Sequence, residues 1–379
     1  MAFDAASPAD CAAPARVGHS IVIAEEAVKQ SLGGLVPMLE LMDTLRRAQG
    51  NALEVLGYGP DERSYRVLAS APHWCLRDYA GGGSGPAVLL IPAPIKRPYI
   101  WDLAPSASAV RYCLRQGLRV YLLEWKPPRS GQGDAGLDEY ADQAIAGAVA
   151  EIARVAAGKP PFLIGHSLGG TFAAIAGALE PQSIRGLVLL GSPLCFQPGS
   201  SPFRDSLVSI APSTLSDLDV VPGSLLSQIS ALAAPDSFIW SRMRDAALSM
   251  ADPLALDIHA RVERWALDEV PLPGRLVDQI LGWLYREDRF CRGILPVRGG
   301  TVGPSSLRLP TLAVVNTADE VAPLSSVRPF IAAMPVRDTG IIEYAGETGV
   351  GLQHLAILAG RNAYASVWPE ILTWLCARS

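Results

Sequence analysis

The chain has 379 residues, 49% of them apolar and 18% charged, and 32 basic against 37 acidic residues give a net charge of −5. That length can bury a large core as one elaborated domain or two, and the apolar excess argues against a disordered or highly solvated chain. No basic surface offers itself to nucleic acid, and no apolar run approaches the ~20 residues of a transmembrane span.

Residues 1–16, rich in Ala and Pro, predict a flexible tail without the basic and apolar regions of a signal peptide. Six dispersed cysteines (Cys11, Cys75, Cys113, Cys195, Cys291, Cys376) form no CxxC pair and have no histidine at metal spacing. They predict reduced, mostly buried thiols of a cytoplasmic protein, with no metal. Residues 17–80 read as a helical and strand extension. Within it, apolar residues recur at helical spacing from Ile21 to Gln49 (Ile21, Val28, Leu32, Leu35, Leu39, Met42, Leu45), broken at Gly33, Gly34 and Pro37. This predicts one or two amphipathic helices packed on the main body.

After the glycine-rich stretch at 81–86 an alternating pattern begins. Strands are predicted at Ala87–Ile91, Arg119–Glu124, Phe162–Ile164, Leu187–Gly191, Thr311–Val315 and Gly340–Tyr344. Helices are predicted at Ala107–Gln116, Leu137–Ala157, Thr171–Leu179, Leu324–Ala333 and over much of Leu355–Leu375. Such alternation implies an α/β fold, a mainly parallel sheet covered by helices on both faces. Residues 81–194 and 310–379 would form this core. Between 195 and 309 the rhythm gives way to scattered Pro and Gly and short helical patterns such as Arg275–Tyr285. A structureless loop of that length is implausible, so the segment predicts an inserted helical lid.

The run Gly165-His166-Ser167-Leu168-Gly169-Gly170 joins a short apolar strand to a helical pattern. That is the context of a Gly-x-Ser-x-Gly nucleophile elbow, in which a serine on a strained turn is pushed outward at a helix N-terminus. A serine hydroxyl needs an adjacent base, itself oriented by an acid. In this fold the chain order is serine, acid, histidine. Of the five histidines, His19 and His73 precede the elbow, His166 would point away from the serine, and His259 falls in the lid. His354 alone follows the late strands, which makes it the candidate base. Asp319, in the turn after Thr311–Val315, is the candidate acid, with Glu320 and Asp338 as competitors. The oxyanion N–H groups would come from Leu168 and from the loop after Ala87–Ile91, where Pro92 and Pro94 have none to give, which leaves Ala93, Ile95 or a later residue. With no metal-ligand cluster and no dinucleotide loop, the predicted chemistry needs no cofactor.

These segments together resemble the polyhydroxyalkanoate synthase family of the α/β-hydrolase superfamily. The resemblance rests on Pro92–Leu103, Gly117–Trp125, Leu137–Tyr140, Trp265–Asp268 with Leu272–Gly274, Asp319–Pro323, His354–Gly360 and Trp368-Pro369. It implies the α/β-hydrolase fold, an oxyanion N–H from Ile95, substrate or lid roles for Trp265 and Asp268, and a hydroxyacyl substrate, carried as a CoA thioester or as polyester. It also admits a homodimer and a polyester granule surface as partners. The chain departs from the family at two positions: Ser167 stands where the synthases carry cysteine, and Gln353 where a glycine precedes their histidine. A serine elbow is the ordinary arrangement for hydrolysis. The expected activity is therefore a serine acyl hydrolase on a synthase-like scaffold. A polymerising acyltransferase and a catalytically silent granule scaffold are the alternatives.

Overall fold

The computed structural model describes residues 37–79, 83, 85–156, 158–215 and 217–379. An eight-stranded sheet forms its centre: β1 (Arg66–Ser70), β2 (Trp74–Asp78), β3 (Ala87–Ile91), β4 (Arg119–Trp125), β5 (Phe162–His166), β6 (Gly186–Leu190), β7 (Thr311–Asn316) and β8 (Thr339–Tyr344). The spatial order is β1-β2-β4-β3-β5-β6-β7-β8. β2 runs antiparallel to both neighbours, and every pairing from β4 to β8 is parallel.

The central strands are apolar along their whole length because both sheet faces are covered. Alternate residues of β3 divide between two cores: Leu89 and Ile91 enter one with Leu123 and Phe172, Val88 and Leu90 the other with Val120 and Trp368. On the first face lie α3 (Ala144–Val155) and α4 (Leu168–Leu179). On the second lie α2 (Ala109–Arg115), the short α11 (Ala356–Ala359) and the C-terminal α12 (Trp368–Cys376). The preceding α10 (Arg328–Ala333) connects β7 to β8.

The long helix expected at Leu137–Ala157 opens with a wider turn at Asp138–Gln143 before α3 begins. The helix expected over Leu355–Leu375 is broken at Gly360. There Glu347 takes the N–H groups of Asn362 and Ala363, and a Cβ on Gly360 would meet its Oε1 at 2.1 Å.

Between β6 and β7 the chain builds the lid from α5 (Pro202–Ile210), α6 (Gly223–Ala233), α7 (Ser241–Ser249), α8 (Pro253–Ala266) and α9 (Gly274–Gln279). A helix over residues 37–53, α1, packs on this lid. Its contacts are polar as well as apolar: Asp43 accepts the N–H of Ser224, Arg46 pairs with Glu269, and Leu39 is buried. Of the positions expected to pack, Leu39 is buried and Met42 half-buried, but Leu45 faces solvent, as do Met38 and Leu41. The part of that reading before residue 37, like the tail at 1–16, lies outside the described residues.

The cysteine reading is corrected at two positions. Cys195 and Cys291 are disulfide-bonded, with Cα atoms 5.0 Å apart and a sequence separation of 96. That separation carries no pairing cue. The return of the lid to the core supplies the required approach. Cys113 is buried, Cys75 half-buried and Cys376 exposed.

Phe172 is fully buried where α4 meets the sheet, whereas Leu41 is 57% exposed on α1. Phe172→Ala should lower the free energy of unfolding by about 3–5 kcal/mol, and Leu41→Ala should leave it within about 0.5 kcal/mol. Urea denaturation of the two variants beside wild type measures the contrast.

Candidate active site

Ser167 closes β5 and opens α4 at φ 56° and ψ −134°, a conformation few side chains adopt. The surrounding glycines permit the turn. A Cβ on Gly165 would lie 2.4 Å from the Cα of Gly170, one on Gly169 would lie 2.3 Å from the carbonyl of Ile91, and one on Gly170 would overlap Ser192. The N–H of Ser167 donates to Leu190 at the end of β6, which fixes the turn against the sheet.

Asp319 sits in the turn beyond β7 and His354 in the loop beyond β8, so both reach the carboxyl edge where Ser167 stands. His354 Nδ1 lies 2.7 Å from Asp319 Oδ2. The carboxylate can only accept, so Nδ1 carries the proton and Nε2 keeps a free lone pair. That Nε2 is buried with no hydrogen-bond partner among the described residues, and His354 lines the cavity that also holds Ser167. Burial raises the Asp319 pKa, but His354 and the N–H groups of Val321 and Ala322 outweigh it, leaving the carboxyl below its ordinary range. Of the competing acids, Glu320 accepts a hydrogen bond from Ser237 of the lid, and Asp338 pairs with Arg378 at the opposite end of β8.

His166 has a part the sequence did not announce. Its Nε2 donates to the main-chain carbonyl of His354 at 2.8 Å, and the two rings lie 4.7 Å apart. Burial, reinforced by the neighbouring His354, depresses its pKa to about 3, so the ring stays neutral. Asn316, at the end of β7, donates to the carbonyl of Gln353. The Gln353 side chain in turn receives the N–H of Glu347 and donates to its carbonyl. The histidine loop is thereby held from the elbow, from β7 and from within.

The cavity has a volume of about 410 Å³. Its walls are largely apolar, with Phe203, Leu207, Leu226, Ile229 and Ile280 from the lid, and it holds Ser167, His354, Leu168 and Ile95 together. Neither the Leu168 nor the Ile95 N–H is hydrogen-bonded to another of the described residues. Trp265 also lines the cavity, and its Nε1 donates to the carbonyl of Arg97. Asp268 does not line it: its carboxylate lies 3.6 Å from Arg97 and 3.4 Å from Arg264. Through Arg97 it braces the loop after β3.

Lys96, buried in the cavity wall, reaches Ser227, the carbonyl of Ala266 and Glu269, and burial lowers its pKa to about 8. Among the described residues, no group of three or more His, Cys, Asp or Glu side chains is placed to hold a metal ion, and no helix is long and apolar enough to cross a membrane.

Residues 86–335 match the model of the alpha/beta hydrolase fold family. The chain belongs to the alpha/beta hydrolase fold family. Within it, the chain is similar to poly(3-hydroxyalkanoate) polymerase subunits PhaC. It is 28% identical to that of Haloferax mediterranei over 77% of this chain and 59% of the relative. To that of Haloarcula marismortui it is 27% identical, over 77% of this chain and 61% of the relative. The match thus spans about three fifths of these relatives' length. To that of Allochromatium vinosum it is 24% identical, over 77% of this chain and 81% of the relative. Among solved structures, a thermophilic esterase from Thermogutta terrifontis shares the fold with a TM-score of 0.51 at 15% identity, over 83% of this chain and 99% of its own. The chain is thus an alpha/beta hydrolase-fold protein similar in sequence to polyhydroxyalkanoate synthases.

The neutral His166 makes a prediction about acid stability. Its folded pKa is depressed below the unfolded value of about 6.5, so only the unfolded chain binds this proton between those values, and stability is lost as pH falls below about 6.5. His166→Gln keeps an N–H donor and removes the titration. Between pH 6 and 4 its unfolding free energy should fall less steeply than that of wild type, by up to about 1.4 kcal/mol per pH unit. Urea denaturation across that pH range measures the difference, and parallel slopes would contradict it.

Proposed function

We propose that the protein is a serine acyl hydrolase, an esterase, thioesterase or polyester depolymerase, acting on hydrophobic and specifically 3-hydroxyacyl esters or thioesters. One observation carries this reading. Ser167 shares a largely apolar cavity with a histidine whose Nδ1–H is held by a buried carboxylate and whose Nε2 has no hydrogen-bond partner among the described residues.

In this reading Ser167 Oγ attacks the acyl carbonyl while His354 Nε2 takes its proton. Asp319 holds the imidazole in the correct tautomer and stabilises the imidazolium that forms. The Leu168 and Ile95 N–H groups receive the developing oxyanion, a contribution of about 3 kcal/mol for one such donor. His354 then gives its proton to the departing oxygen or sulfur, leaving an acyl-serine. Water, deprotonated by the same Nε2, attacks that ester, and the proton returns to Ser167 as the acid leaves. The apolar lid residues receive the acyl chain.

The similarity to polymerase subunits supports a second reading, in which the acceptor is the hydroxyl of another hydroxyacyl unit. The nucleophile atom favours water. A cysteine acyl-enzyme is a thioester, comparable in energy to an incoming CoA thioester, whereas a serine acyl-enzyme is a more stable oxygen ester.

A fluorophosphonate probe should label wild type, fail on Ser167→Ala and label His354→Ala far more slowly. Asp319→Asn should lower kcat by up to about 10⁴. With 3-hydroxybutyryl-CoA the expected products are free CoA and free acid, separated by chromatography. CoA with polymer would establish the transferase reading, and an unlabelled, well-folded wild type would establish the silent scaffold.

A further inference from the structure

The lid carries a buried aspartate–histidine pair that the proposed chemistry does not use. Asp245 on α7 and His259 on α8 are only 7% and 6% exposed. His259 Nδ1 lies 2.8 Å from Asp245 Oδ2, and its Nε2 faces Glu263 at 3.9 Å. A carboxylate withdrawn from water is tolerated where donors surround it. Two of the donors to Asp245 come from outside the lid: the N–H of Gly349 reaches Oδ1 and the N–H of Gly351 reaches Oδ2, each at 2.8 Å. Both glycines belong to the loop that ends at His354.

The loop is shaped for this contact. Gly349 and Gly351 have φ values of +86° and +68°, which side chains other than glycine rarely adopt. Each lies against α8: a Cβ would stand 2.9 Å from that of Ala255 at the first and 3.0 Å from Val262 Cγ1 at the second. His166 and Asn316 hold the core side of the same loop through the carbonyls of His354 and Gln353. Asp245 is the corresponding hold on the lid side.

We infer that Asp245 is a positioning residue, which sets His354 by gripping the Gly349 and Gly351 N–H groups, with His259 orienting its carboxylate. The inference rests on the reading of His354 as the base. The lid is then part of the apparatus that aims the imidazole as well as a cover for the acyl chain. Losing the grip removes the lid-side hold on Gly349 and Gly351 ahead of the histidine, and a displacement of about 1 Å at a reacting group can slow chemistry by 10²-fold.

The test uses the full chain, with p-nitrophenyl butyrate turnover, fluorophosphonate labelling and hydrogen exchange of the peptide covering residues 345–355. Asp245→Ala should lower kcat and the labelling rate together by about 10–100-fold, with KM changed less than about threefold, and should speed exchange of the peptide. Asp245→Asn keeps an acceptor oxygen and should restore part of both. Because Asp245→Ala can fail to fold, Asp245→Asn and His259→Gln provide smaller changes in the same direction. An active wild type with unaltered kcat, labelling and exchange in the folded variants would overturn the inference, as would a loss confined to KM. A wild type that neither turns over nor labels would sink the proposed function instead. Exchange would then decide the grip alone, faster in the variants if it exists and unchanged if it does not.

Discussion

At Ser167 the backbone must pass from a buried strand into a buried helix within one residue, and everything at this edge of the sheet is arranged around that reversal. The serine takes a positive φ, and the glycines at 165, 169 and 170 remove the side-chain atoms that would block the approach of α4 to β3, β5 and Ser192. Strain of this kind persists only where the surroundings over-determine the turn. Here they include the Ser167 N–H bond to Leu190 and the fully buried face of α4. The turn leaves the serine side chain in the cavity and its helix N-terminus beneath it.

The parallel order of β5, β6, β7 and β8 places the loops bearing Asp319 and His354 on that same edge. Coming together is not the same as being held. The lid touches each loop through a different chemistry. Val270 N–H donates to the carbonyl of Ile95, and Lys96 pairs with Glu269 in the loop after β3. Ser237 donates to Glu320 beside the acid, and Asp245 takes the glycine N–H groups ahead of the histidine. The disulfide from Cys195 to Cys291 joins the departure of the lid from β6 to its return. A lid so joined to three loops responds with them when it shifts, because close-packed contacts deform little before they rearrange.

What was legible in the amino-acid sequence followed from local periodicity and chain order. The strands at Ala87–Ile91 and Thr311–Asn316 are short apolar runs bounded by turns, and they fall within a residue of where the pattern puts them. Ser167 was visible because an elbow is a contiguous motif. Asp319 and His354 were visible because the fold prescribes their order, and the structure brings their side chains to 2.7 Å. What stayed hidden depends on contacts between distant segments. Asp245 and His259 lie 14 residues apart on separate helices, and nothing in either helix signals the glycines 104 and 106 residues beyond Asp245. The pairing of Cys195 with Cys291, the bond from His166 to the His354 carbonyl and the solvent-facing side of α1 have the same origin. Asp268 shows the limit of similarity: it belongs to a matching segment, yet its carboxylate is engaged by two arginines.

The similarity to polymerase subunits and the oxygen at Ser167 pull the proposed function in opposite directions, and the balance turns on water. An acyl-serine ester is a resting point from which transfer to a hydroxyl is nearly even in energy, since one oxygen ester replaces another, whereas hydrolysis also releases a carboxylate that cannot readily re-form the ester. The acceptor that reaches the carbonyl first therefore decides the outcome. Excluding water from a cavity of about 410 Å³ requires an acyl chain or a closed lid to fill it. In the proposed reading the lid that covers this cavity also grips the loop ahead of His354, so access for an acceptor and the aim of the base depend on one element. In the proposed reading the serine oxygen makes the acyl-enzyme a stable ester, and the acceptor that passes the lid first completes the reaction.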